Sequence, residues 1–137
     1  MLLAIDVGNT RIKAGLWDGR TWTRLESAPS RPEGVRALAD RELAQGAVAA
    51  ICATVVPMLR REVTECFPGM EISFPDGNSP WLEEYVDYES RTTLGADRLA
   101  NGMALLNLTL GRQAAVSVDL GTATKFDVVT FSEEGGA

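Results

Sequence analysis

The sequence predicts an α/β fold, a mixed sheet with flanking helices, and three observations carry that prediction. The chain opens with three strand-like runs in succession, it then alternates helical and strand-like segments, and no low-complexity linker interrupts it. Leu2 to Val7, Arg11 to Trp17 and Thr21 to Ser27 read as the three strands. The bends between them contain Gly8-Asn9 and Asp18-Gly19, both strong two-residue hairpin signals.

After "APSRP", residues Glu33 to Gln45 carry Val35, Leu38, Ala39 and Leu43 near helical spacing, and Gly46 ends the run. Ala47 to Val56 is a continuous apolar run suited to a buried strand. Pro57 then starts a second helix, "PMLRREVTECF", which stops at Pro68-Gly69. "MEISF" reads as a short strand and "PDGNSP" as a loop. A longer helix is predicted from near Gly95 to Leu110, burying Leu99, Met103, Leu106 and Leu110. "QAAVSVDL" and "TKFDVVTF" follow as two strands around "GTA".

Composition limits the function classes. With 137 residues, 45% of them hydrophobic and 23% charged, the chain has enough apolar mass for a core. A net charge of -6, with scattered arginines, argues against a nucleic-acid partner held by a basic surface. There is no His, and Cys52 and Cys66 lack C-x-x-C spacing, so a zinc site is excluded and two buried free thiols in a reducing compartment are expected. The apolar start "MLLAI" is short for a signal peptide and no run approaches membrane-spanning length, so the expected location is the cytoplasm, with no membrane partner.

One internal echo matters for function. "AIDVGNTRIKAGLW" and "SVDLGTATKFDVV" share the order apolar strand, Asp, apolar residue, Gly, polar residues, Lys and a second strand. In each copy small residues let the backbone approach a ligand, while backbone amides and the Thr hydroxyl can donate to phosphate oxygens. Asp6 and Asp119 would hold a cation, or a metal-bound water, beside those phosphates, and Lys13 would add a point charge. This is an ATP clamp without a Walker sequence. A single "D-x-G-N-T" is a weak signal, because Asx-Gly bends are common in hairpins that bind nothing.

A third stretch, "YESRTTLGADRLANGMALL", completes a pattern. Taken in order, "DVGNTRIK", "GADR" and "DLGTAT" resemble the signatures of the type III pantothenate kinases, over the chain from residue 1 to about 130. The resemblance implies a ribonuclease-H-like (actin-like ATPase) domain at 1–112 and the first hairpin of a second such domain at 113–137. It implies transfer of the γ-phosphoryl group of ATP to pantothenate, the first step of coenzyme A biosynthesis. Asp97 would correspond to the proton acceptor, and Tyr88, Gly95, Ala96, Asp97 and Arg98 to pantothenate contacts. Asp6, Val7, Gly8, Asn9, Thr10, Arg11, Ile12, Lys13 and Thr122 would correspond to the ATP site. Asp119 would be the ligand of a monovalent cation, potassium or ammonium, with magnesium arriving on ATP. The full-length protein would be a homodimer.

Plainer readings stand beside these. Asp97 in a first helical turn suits the helix dipole, Arg98 suits a surface, and Tyr88 suits packing. Trp17, Trp22 and Trp81 read as core or rim, and Glu83 and Glu84 as a solvated pair. The chain departs from the family pattern at Ser90-Arg91, where a Pro-containing pair is usual and would stiffen the loop after Tyr88, and at Lys125, where Thr is frequent. Its length implies half a clamp, with an apolar sheet edge and face left uncovered. A fragment of a full kinase is the favoured explanation, ahead of a short homologue completed by a partner and a noncatalytic nucleotide-binding or regulatory homologue.

Overall fold

The computed structural model describes residues 1–41, 43–86, 88–109, 114–121 and 123–130, with the backbone alone for residues 83 and 84. The chain divides into two compact units, Met1–Asp97 and Arg98–Ala137. The expected boundary at 112/113 lies outside the described residues.

The first unit is built on a five-stranded sheet. Strands β1 (Leu2–Val7), β2 (Arg11–Trp17) and β3 (Trp22–Pro29) form an antiparallel meander, and β4 (Ala49–Thr54) and β5 (Ile72–Ser73) lie parallel to β1. The strand order β3-β2-β1-β4-β5 is the ribonuclease-H-like arrangement. Asp18 closes the β2–β3 bend by accepting from the backbone N–H groups of Arg20 and Thr21, each at 2.8 Å, with Gly19 at φ +102°. Those bonds hold the Asp18 carboxyl below its ordinary range.

Alternation along β1 decides which face is core. Leu3, Ile5 and Val7 are buried, as are Ile12, Ala14 and Leu16 of β2, and helices α1 (Pro32–Ala39) and α2 (Arg60–Cys66) add Val35, Leu38 and Val63 to the same cluster. Burying each such aliphatic side chain is worth about 1.5–3 kcal/mol. The opposite face carries Leu2, Ala4 and Asp6 of β1, with Trp22, Leu25 and Ile51 exposed on neighbouring strands. Trp17 and Trp22 pack at the rim, ring centroids 5.2 Å apart.

Three expectations change. The helix expected over 33–45 ends at Ala39, after which a turn still delivers Leu43 to the core at 1% exposure. Apolar spacing persisted there although the backbone had left the helix, and the Arg41–Glu26 ion pair at 2.7 Å ties that turn to β3. The helix expected from Pro57 opens with a tighter 3₁₀ turn, Pro57–Leu59, before α2 begins. Cys52 is buried, but Cys66 is only half-buried, and both are free thiols. Burial pushes the Cys52 thiol up to about 12, with the Arg60 guanidinium opposing and the Asp6 carboxylate adding to the shift.

Helix α3 (Ala96–Thr109) starts at the end of the first unit and runs into the second, where β6 (Ala115–Leu120) and β7 (Thr124–Val129) pair antiparallel. Leu99 is buried as expected, Met103 and Leu106 are half-buried, and Leu110 lies outside the described residues. Among the described residues, no helix is long and apolar enough to cross a membrane.

Candidate functional site

The first bend sits at the carboxyl ends of the parallel strands, where open α/β sheets bind ligands. Asp6 faces Lys13 across the β1–β2 ladder and Ala53 of β4 on its other side. Val7 pairs with Ile12, and the Gly8 N–H donates to the Arg11 carbonyl at 3.1 Å. The connection is therefore a two-residue turn at Asn9-Thr10, one position on from the Gly8-Asn9 turn expected. Gly8 is not among the glycines with left-handed φ; its value is space, because a Cβ there would lie 3.2 Å from the Arg11 carbonyl oxygen.

The bend is fixed from three sides. Ser30 N–H donates to the Thr10 carbonyl at 3.0 Å, the Arg11 guanidinium donates to Ser27 Oγ at 2.5 Å, and Val55 N–H donates to the Val7 carbonyl at 3.0 Å. Asn9, Thr10, Arg11 and Lys13 are exposed, Asp6 and Gly8 half-buried, Val7 and Ile12 buried. The two buried members hold the bend to the core, and the exposed ones present it.

The segment after β4 links this bend to the Gly-Ala-Asp turn. Thr54, 7% exposed, both accepts from Val56 N–H and donates to Val56 carbonyl at 3.0 Å, closing a local turn. Val55 then meets Gly95, since a Cβ on Gly95 would lie 3.6 Å from Val55 Cγ1 and would collide with the Asp97 carboxylate. Glycine at 95 thus lets that carboxylate fold back over the start of α3. Ala96 is buried at 4% and Asp97 is half-buried. Sequence reasoning missed Thr54 and Val55, which carry no polar motif and act through position alone.

Tyr88 is 52% exposed, ahead of a 3₁₀ turn at Arg91–Thr93. In that turn the Ser90 carbonyl accepts from Thr93 N–H at 2.9 Å and Thr93 Oγ1 at 2.7 Å. These bonds order the loop where a Pro-containing pair was expected.

In the second unit, Asp119 stands opposite Lys125 on the β6–β7 ladder, with the ammonium 3.9 Å from Asp119 Oδ2. Gly121 leaves a small cradle: a Cβ there would have both Asp119 carboxylate oxygens and the Ala123 carbonyl within 3.6–3.8 Å. Hard oxygen donors around an open point suit a monovalent cation. Thr122 lies outside the described residues. Arg98 on α3 reaches Asp127 of β7, Nε to Oδ1 3.6 Å, a residue the sequence reading passed over.

The family model for type III pantothenate kinases matches residues 2–137. The chain belongs to the type III pantothenate kinase family. Within it, a type III pantothenate kinase of Anaeromyxobacter sp. (strain K) is 35% identical over 162 aligned positions, covering 100% of this chain and 59% of the relative. One from Moorella thermoacetica is 34% identical with the same coverage, and one from Streptomyces coelicolor is 36% identical over 95% of this chain and 55% of the relative. The chain thus spans less than two thirds of the length of these relatives. Among solved structures, the nuclease domain of the large terminase subunit gp2 of bacterial virus Sf6 has a TM-score of 0.46 at 18% identity, over 94% of this chain and 76% of that one.

Proposed function

We propose that this chain carries the ATP- and pantothenate-facing residues of a kinase that phosphorylates pantothenate to 4'-phosphopantothenate, the first step of coenzyme A biosynthesis. One observation supports this most: the Asp6–Lys13 bend and the Gly95–Asp97 turn meet the same carboxyl end of the central strands, joined through Val55. A phosphate-binding bend and an acceptor carboxylate need to share one crevice for in-line transfer.

In this reading the exposed bend from Asp6 to Lys13 receives the ATP phosphates, with Thr122 contributing from the second hairpin. Asp97 orients the pantothenate hydroxyl and takes its proton late, which a carboxylate of ordinary basicity can do because phosphoryl transfer is loose. Tyr88, Gly95, Ala96 and Arg98 bind pantothenate, Arg98 through its carboxylate. Asp119 and the Ala123 carbonyl hold potassium or ammonium, which, with magnesium on ATP, would supply positive charge beside the phosphates. The full-length enzyme acts as a homodimer in the cytoplasm.

A coupled ADP-release assay on the full-length protein, with ATP, magnesium and potassium, tests the proposal. Pantothenate-dependent turnover is expected, falling about 10²-fold or more in Asp97→Asn. Nucleotide binding without pantothenate-dependent turnover would instead favour a noncatalytic nucleotide-binding homologue.

A further inference from the structure

The internal repeat isolates a residue that the hairpin itself does not require. Asp6 opposite Lys13 matches Asp119 opposite Lys125. Two residues away on the same face, the first hairpin pairs Ala4 with Gly15, whereas the second pairs Ser117 with Asp127. Small residues satisfy that position in the first unit, so the Asp127 carboxylate is an addition to the shared pattern.

The addition is costly unless partnered, for the Asp127 side chain is only 12% exposed. Among the described residues, two hydrogen-bond donors and one guanidinium face it. Asn101 Nδ2 lies 3.2 Å and Ser117 Oγ 3.4 Å from Oδ2, while Arg98 Nε lies 3.6 Å from Oδ1. Arg98 and Asn101 are three residues apart and share one face of α3, so helix and hairpin converge on this carboxylate. The Arg98 side chain remains 47% exposed.

We infer that Asp127 is a positioning residue for Arg98, its buried carboxylate fixing by charge the guanidinium that meets the carboxylate of the second substrate. The inference rests on the reading of Arg98 as a pantothenate contact. A long arginine held in advance loses less freedom when the anion arrives, and that saving appears as affinity. Asn101 and Ser117 occupy the other oxygen, which keeps the Asp127 carboxylate itself from rotating.

Calorimetric titration of pantothenate, and separately of ATP with magnesium, into the wild-type chain, Asp127→Asn, Arg98→Ala and the double variant tests this. Asp127→Asn is expected to weaken pantothenate binding about tenfold, leave ATP affinity within about twofold, and cost nothing further in the Arg98→Ala background. An unchanged pantothenate affinity, an equal loss for ATP, or the same loss in both backgrounds overturns the positioning role. Arg98→Ala binding pantothenate as the wild type does, or a wild type that binds none, overturns the underlying reading and the inference with it. Should Asp127→Asn lose its native circular dichroism, Asp127→Glu keeps the charge but displaces it; a smaller, still Arg98-dependent loss is expected, and none overturns the proposal.

Discussion

The two hairpins repeat one pattern yet end in opposite environments. In the first, Leu3, Ile5 and Val7 are 0%, 5% and 0% exposed; in the second, the matching Val116, Val118 and Leu120 are 55%, 53% and 79% exposed. Their cross-strand partners follow suit, with Ala14 and Leu16 at 4% and 2% against Phe126 and Val128 at 64% each. The ladder and the Asp–Lys crossing are local properties of register, and both copies have them. Burial is not local: the first hairpin is covered by α1 and α2, and the apolar face of the second is uncovered among the described residues, as the sequence implied.

The largest effect that could break this comparison is a paired truncation. Ile5→Ala should lower unfolding free energy by about 2–5 kcal/mol, whereas Val118→Ala should stay within about 0.5 kcal/mol, both read from urea midpoints. Similar losses at the two positions would mean that the second face is packed after all.

A smaller effect sharpens it. Phe126→Lys should reduce binding of an apolar fluorescent dye to the chain, while Leu25→Lys, on the outer face of the first sheet beside Trp22, should change it less. An equal change in both variants would deny the second hairpin its continuous apolar patch.

The smallest effect concerns thiols. Cys52, raised to about 12 by burial, should resist alkylation at pH 8 in the folded chain, and half-buried Cys66 should react first. The same shift sets a sign for stability. Between the ordinary thiol value of 9.0 and about 12 the unfolded chain holds fewer protons than the folded one, so the stabilisation is intact below pH 9.0 and is lost as pH rises through about 12. Cys52→Ala should flatten that alkaline loss in a pH series of urea midpoints; an unchanged slope would assign it elsewhere.

Legibility in the sequence followed the range of the interaction. Asp18-Gly19 was readable because a side chain two residues away makes the turn. Gly8 was readable as part of a bend but misplaced by one residue: it flanks the Asn9-Thr10 turn, and its constraint is the close carbonyl of Arg11 three residues on. The overlong first helix came from Leu43, whose spacing is helical although a turn carries it to the core. Asp127 was invisible as a partner of Arg98 because strand alternation says which face a residue takes, never what stands across from it.

What the sequence determined by itself is the set of local devices: three ordered motifs, period-two strands, the bends, and hence the family. Turn chemistry and side-chain alternation act over a few residues, so they survive in one dimension. Tertiary structure alone decided that Val55 brings the Asp6 bend and the Asp97 turn to one end of the sheet, that Asp127 grips Arg98, and that one of two equal apolar faces is covered. Those are contacts between segments far apart in the chain, and only packing sets them.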